Sequence, residues 1–187
     1  APSAMMRSLP MGWHASSGKQ SSPPAMPINS DTQAMALMCG SYHSSKYTRG
    51  RRLSAAAACE ISVKDGNKIK IHRIVAATDP GYVVNPAQIK RQVSGSFVYG
   101  LSALFEEEIT IKNGAVIQKN FDTFGSIRLA QMPPVETIII QGGGKVWGGV
   151  GEPTICVAAP AVLNAFFQAT GKRIRTLPLK NSGITLV

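Results

Sequence analysis

The sequence predicts an α+β fold, a mixed sheet built from hairpins and packed with two main helices. Three observations carry that reading. Two hairpin turn signals, Asp65-Gly66 and Asn113-Gly114, each lie between β-rich runs. Ile89, Val93, Phe97 and Leu101 recur every four residues and form one apolar helical stripe. Nearly all the β-branched residues follow residue 58, so the packed core belongs to the second part of the chain.

Residues 1–54 read as an irregular, low-complexity or divergent segment, and 55–187 as the folded domain. Ser16-Ser17-Gly18, Ser21-Ser22-Pro23-Pro24 and Pro27 break any period in the first segment. Within it, Thr32–Met38 reads as at most a turn of helix. Cys59–Val63 and Ile69–Ala77 are strands joined by the turn Lys64-Asp65-Gly66-Asn67, with His72 facing outward and Asp79-Pro80-Gly81 ending the pair. Asn85 is a good N-cap and Pro86 suits a first helical turn. Gly95, Ser96, Gly100 and Ser102 are small residues on that helix, where another backbone or a ligand can come close.

Glu108–Lys112 and Ala115–Lys119 form the second hairpin, with Glu106-Glu107-Glu108 a solvated edge at its entrance. Val135–Gln141 is a further β-rich run, ended by Gly142-Gly143-Gly144. Pro160–Thr170 is a short helix closed by Gly171 at C′, and Ile174–Leu179 is a final strand. No internal repeat is present.

The 187 residues suit one domain, and an apolar fraction of 44% is enough for a core. Net charge is +10. Six basic residues and one acid lie in Arg7–Arg52, leaving fourteen basic residues and nine acids beyond it, or +5. Arg49-Gly50-Arg51-Arg52 lacks the interleaved aromatic residues of a single-strand nucleic-acid platform, so nucleic acid is not an expected partner. Cys39, Cys59 and Cys156 are widely and irregularly spaced, which argues against a disulfide framework or a metal-ligand pair. Cys59 and Cys156 read as small buried hydrophobes, and His14 and His43 as isolated. No uninterrupted apolar run is long enough to span a bilayer. Arg7, Pro10 and His14 interrupt any signal-peptide apolar region.

Gly148-Gly149-Val150-Gly151-Glu152-Pro153 is the most informative stretch. Three glycines let a backbone approach another group closely. A lone carboxylate presented at their end, just before a helix, is what a general base requires. A surface loop with a capping Glu is the other reading of the same residues.

Several blocks also fall in one order. They are Val84-Asn85-Pro86, Gln92-Val93-Ser94-Gly95-Ser96, Tyr99-Gly100-Leu101-Ser102-Ala103, Glu108-Ile109-Thr110, Asn113-Gly114, Gln118-Lys119-Asn120-Phe121 and Met132-Pro133. Gly148–Pro153, Ala159-Pro160-Ala161 and Ala169-Thr170-Gly171-Lys172-Arg173-Ile174-Arg175 complete the series. In this the chain, over about residues 55–180, resembles the C-terminal part of the molybdopterin-binding large subunit of the xanthine oxidase family. The branch it is most similar to is the isoquinoline 1-oxidoreductase β-subunit type, which includes bacterial membrane-associated aldehyde dehydrogenases.

The resemblance implies a fragment of the molybdenum-cofactor-binding domain. It implies oxidation of an aldehyde, or hydroxylation of an N-heterocycle, with oxygen from water and two electrons passing through molybdenum. In the family, the glutamate of the Gly-Val-Gly-Glu motif is the general base, here Glu152. Gln92 matches a glutamine that contacts the molybdopterin cofactor, and an amide offers both donors and an acceptor to it. Gly149, Val150 and Gly151 are expected to line the metal site with backbone, with Gly95 and Ser96 leaving room from the earlier helix. Phe124 and Arg128 fall near the family's substrate path. No cluster of cysteines here can hold an iron–sulfur centre. The resemblance therefore implies a small iron–sulfur partner subunit and, in this branch, often a cytochrome c subunit. It also implies the cytosine dinucleotide form of the cofactor and a site in the bacterial periplasm at the cytoplasmic membrane.

The chain departs from the family in three ways. The family subunit is several times longer. A Gly-Arg-Gly stretch and a strand are expected before Ala55, and Thr48-Arg49-Gly50-Arg51-Arg52 only echoes them. Phe105-Glu106-Glu107 stands where a tyrosine–glycine pair is usual. A non-catalytic assembly module that keeps only the fold is the competing expectation.

Overall fold

The computed structural model describes residues 32–43, 52–142 and 148–187, the first strand by its backbone alone. Strands β1 (Thr32–His43), β2 (Arg52–Lys64) and β3 (Lys68–Asp79) form an antiparallel meander. Asp65 and Gly66 both take positive φ, 56° and 74°, which is the conformation a two-residue hairpin turn needs. The register shifts between Glu60 and Ile61. That bulge keeps Ile69, Ile71, Ile74 and Ala76 of β3 buried on one face despite the uneven spacing.

Helix α1 (Pro86–Phe105) leads to a short hairpin, β4 (Ile111–Lys112) and β5 (Ala115–Val116), turned by Asn113 and Gly114. Strand β6 (Val135–Ile139) then adds in parallel to the end of β3. Helix α2 (Glu152–Thr170) follows. Strand β7 (Thr185–Leu186) pairs in parallel with the start of β3. The result is a mixed sheet, β1-β2-β3-β6, with β7 beside β3. Helix α2 packs on β1 and β2, and α1 packs on α2 and β6.

Local chemistry sets the helix ends. Asn85 Oδ1 accepts from the amides of Ala87 and Gln88 at 3.1 and 3.2 Å. Gly171, at φ 70°, closes α2 in the left-handed conformation. The predicted stripe Ile89, Val93, Phe97 and Leu101 is buried, together with Ser96 and Gly100.

Five expectations change. Thr32–Met38 is not helical: it is part of β1, because pairing to β2 and cover from α2 outweigh local preference. The stretch expected to be irregular thus contains β1 and the start of β2, while residues 1–31 and 44–51, including Arg49-Gly50-Arg51, lie outside the described residues. Helix α2 starts at Glu152 rather than Pro160. A proline inside a helix costs about 3 kcal/mol, but Val157, Ala158, Ala161, Val162, Ala165 and Phe166 are all buried along its length and offset that. Residues 174–179 are not a strand. The chain instead makes a 3-10 turn, Leu179–Ser182, that buries Leu179 before β7. The acidic run is tied down rather than freely solvated. The Glu106 carbonyl accepts from Lys180 Nζ, and Glu108 Oε1 accepts from Asn181 Nδ2 at 2.9 Å. Partial burial pushes the Glu107 carboxyl above the usual carboxylate range. By length and apolarity α2 does match a bilayer span, yet 56% of it is buried inside the fold, as a core helix is.

A Cβ at Gly100 would stand 2.6 Å from Ala158 Cβ and 3.1 Å from the Ile155 carbonyl. Gly95, one turn earlier, has nothing within 4 Å. Gly100→Ala is therefore expected to lower stability by about 1–3 kcal/mol. Gly95→Ala, an exposed helix position, should raise it by up to about 1 kcal/mol. Urea unfolding midpoints of the two variants give the comparison.

Candidate active site

The Gly148–Glu152 segment lies at the carboxyl ends of the parallel pair β3 and β6. The Ile140 amide donates to the Thr78 carbonyl at 2.9 Å, continuing the ladder one residue past β6. Asp79 Oδ1 accepts from the Gly81 amide at 2.9 Å. A Cβ on Gly142 would come within 2.5 Å of Asp79 Oδ2, so a side chain there would require that carboxylate to shift. Residues 143–147 lie outside the described residues. The chain returns at Gly148, whose amide donates to the Pro80 carbonyl at 2.9 Å. Val150 is half-buried and packs against the core. Gly149 is exposed, and nothing lies within 4 Å of its Cβ position.

Gly151 is the N-cap of α2 and Glu152 its first residue. A carboxylate there complements the positive end of the helix. Glu152 is exposed. Among the described residues its carboxylate has no hydrogen-bond or ion-pair partner. The ion pairs described are Lys68–Asp65 at 2.8 Å and Arg73–Glu60 at 2.9 Å, both in the β2–β3 hairpin. Nor do any three His, Cys, Asp or Glu side chains converge among the described residues.

Helix α1 supplies the facing wall. Gln92 is exposed, and its Oε1 lies 3.4 Å from the Cβ position of Gly151. Gly95 is on the exposed side of α1, three residues on. Ser96 points the other way. It is 4% exposed, and its Oγ lies 2.5 Å from Thr154 Oγ1, a residue that is fully buried. Gln92 and Gly151 are therefore neighbours, and Glu152 follows directly. Gly149 and Val150 precede Gly151 in the chain and Gly95 lies about one turn along α1 from Gln92, while Ser96 serves the helix contact instead of an open surface. Phe124 is half-buried and Arg128 exposed, and among the described residues neither bonds to the Gly148–Glu152 segment.

Thr154 is the residue the sequence did not single out. Its role depends on α2 starting at Glu152, and a helix begun at Pro160 leaves it in a loop. Cys156, expected to be buried, is exposed, with its thiol 3.8 Å from the Glu152 carbonyl. Its position one turn from the start of α2 turns it away from the sheet.

The fold and this loop-and-helix arrangement form an α+β unit in which, among the described residues, no cluster of side-chain metal ligands stands. Comparison with known proteins identifies the cofactor. Residues 33–133 match the molybdopterin cofactor-binding domain family, and the chain belongs to it. The matched span includes Gln92, Gly95 and Ser96 and ends before Gly148. The chain is 29% identical over 114 residues to the isoquinoline 1-oxidoreductase subunit beta of Brevundimonas diminuta, covering 61% of the chain and 14% of that relative. It is 31% identical over 116 residues to a membrane-bound aldehyde dehydrogenase [pyrroloquinoline-quinone] of Gluconacetobacter polyoxogenes, covering 62% and 15%. The crystal structure of a Cu,Mo-CO dehydrogenase superposes with a TM-score of 0.56 at 25% identity, over 66% of this chain and 16% of that one. The chain thus spans about one-seventh of the length of the relatives it matches.

The two described thiols differ in reactivity. Burial, with a smaller contribution from Glu60, pushes Cys59 up to about 12, while Cys156 is exposed. Because the thiolate is the reactive form, iodoacetamide should alkylate Cys156 in the folded chain and leave Cys59 unmodified until denaturant is added. Peptide mapping by mass spectrometry reads both.

Proposed function

We propose that this chain supplies the general base of a molybdenum hydroxylase. The enzyme oxidises an aldehyde to a carboxylic acid, or hydroxylates an N-heterocycle, with water as the oxygen source. The observation that carries this is the placement of an exposed carboxylate, Glu152, without a partner among the described residues, directly after a glycine that abuts the Gln92 amide.

The residues present fit the molybdenum cofactor. The Cβ positions of Gly95 and Gly149 face open space, so a bulky group can lie against bare backbone there. The Gln92 amide offers donors and an acceptor to a pterin or phosphate edge. With no cluster of side-chain ligands among the described residues, the metal is to be held by the pterin itself, in the cytosine dinucleotide form. When bound, that group supplies the two-electron oxidation. The chain's own part is to present the backbone of Gly149, Val150 and Gly151 to the cofactor and to take a proton on a Glu152 carboxylate oxygen from the water that provides the oxygen. A carboxylate free of cations does this without first breaking a bond.

Neither Cys59 nor Cys156 has a cysteine partner, so electrons leave through a small iron–sulfur subunit and from there to a cytochrome c subunit. The names of the relatives, a subunit beta and a membrane-bound dehydrogenase, support a multi-subunit complex at a membrane, and the proposal places it at the cytoplasmic membrane, facing the periplasm. The chain spans 14% and 15% of these relatives, and on this reading the activity belongs to the cofactor-loaded assembly rather than to this stretch alone. One observation favours a second reading, a non-catalytic assembly module. The family match stops at residue 133 and does not reach Glu152.

Glu152→Gln in the cofactor-loaded complex should lower turnover at least about 100-fold with molybdenum content unchanged. Near-normal turnover would remove the base assignment. Absence of molybdenum in protein from its native source would favour the assembly module.

A further inference from the structure

We propose that Ser96 and Thr154 are positioning residues, a buried hydroxyl pair that holds the Gly151–Glu152 turn against Gln92. The proposal rests on the reading of Glu152 as the base, but its geometry stands without it.

The pair bridges two helices at the only polar contact in their buried seam among the described residues. Ser96 Oγ lies 2.7 Å from the Val93 carbonyl and 2.5 Å from Thr154 Oγ1, and Thr154 Oγ1 lies 2.9 Å from the Gly151 carbonyl. Two hydroxyl protons face three contacts. If each hydroxyl gave its proton to its own carbonyl, two oxygens would meet at 2.5 Å with no proton between them. One proton must therefore sit in the inter-helix contact. Either Ser96 donates to Thr154 and Thr154 to the Gly151 carbonyl, or Thr154 donates to Ser96 and Ser96 to the Val93 carbonyl. Both arrangements leave no buried hydroxyl unpaired, and both tie α1 to the first turn of α2. The Thr154 amide also donates to the Gly151 carbonyl, at 3.2 Å.

Apolar contact at Gly100 and Ala158 sets how closely the helices approach. It does not fix rotation or sliding, because methyl and backbone surfaces tolerate both. A directional hydrogen bond four residues nearer the site does fix them. Gly151 and Gln92 are the next pair along, and Glu152 is covalently tied to Gly151.

The test uses the full chain carrying Cys156→Ser, with Gln92→Cys and Gly151→Cys, and the thiol cross-linker dibromobimane. The rate of cross-linked peptide formation is read by mass spectrometry. Thr154→Val should slow cross-linking about tenfold, as a small misplacement of reacting groups does, with single-site alkylation unchanged. Thr154→Ser should restore the parental rate. If Thr154→Val fails to fold, Ser96→Ala with Thr154→Val leaves no orphaned hydroxyl, and should fold and cross-link slowly. Cross-linking at the parental rate in either variant, or no rescue by serine, overturns the proposal. In the cofactor-loaded complex, Thr154→Val should lower kcat with KM kept, and Thr154→Ser should recover it. The assay contains no cofactor, so retained turnover in Glu152→Gln would sink the base assignment alone, while an unaltered cross-linking rate in Thr154→Val would sink the positioning role alone.

Discussion

The close crossing of α1 and α2 is the constraint on which the rest depends. Three contacts lie along it: Gly100 with Ala158, Ser96 with Thr154, and Gln92 with Gly151. Each step moves about one turn toward the N-terminus on both helices, so the two run in the same direction. Eight residues of α1 separate the first contact from the last, or about 12 Å at the rise of an α-helix. The seam starts at a contact that admits no side chain and ends at an exposed amide beside a glycine. What begins as core packing thus becomes the spacing of a surface site.

The sheet supplies the other half of that spacing. β3 and β6 are parallel, and their carboxyl ends set the start of the loop that leads to Glu152. The Gly148 amide is held by the Pro80 carbonyl at 2.9 Å, which anchors the loop to the end of β3. The α1–α2 seam anchors its far end. Between these two anchors, Val150 packs inward while Gly149 stays bare. The described part of the loop, from Gly148 to Gly151, is thereby held at both ends with the Gly149 Cβ position left open.

Much of this was legible from residues with strong local meaning. The Asp65-Gly66 and Asn113-Gly114 turns, the Asn85 cap, the four-residue apolar stripe and the Gly171 stop each act through a few neighbouring atoms, and each holds. The elements that went unread depend on distant partners. Thr32–His43 has no strand signal of its own beyond its place beside β2. The start of α2 is hidden because Pro160 looks like a first-turn residue, while Glu152-Pro153 looks like a loop end. Once that start is misplaced, Thr154 has no visible function, and Ser96 reads as a cofactor contact instead of half of an inter-helix pair. Gln92 and Glu152, by contrast, were named from sequence order, and the fold brings Gln92 against the residue before Glu152.

Among the described residues Glu152 stands unpaired, in a chain of net charge +10. The described acids that find cations do so in the β2–β3 hairpin, Glu60 with Arg73 opposite it in register and Asp65, in the turn, with Lys68 three residues on. Glu152 is instead the first residue of a helix, flanked by Gly151 and Pro153, neither of which carries a charge. Its facing neighbour across the seam is an amide, not a lysine or arginine. The helix end provides a diffuse positive field, and among the described residues no side chain offers the carboxylate a fixed cation. A carboxylate in that position is exposed to whatever lies in front of it. A basic residue at 92, where the present amide oxygen stands 3.4 Å from the Gly151 Cβ position, would bring a cation into that field.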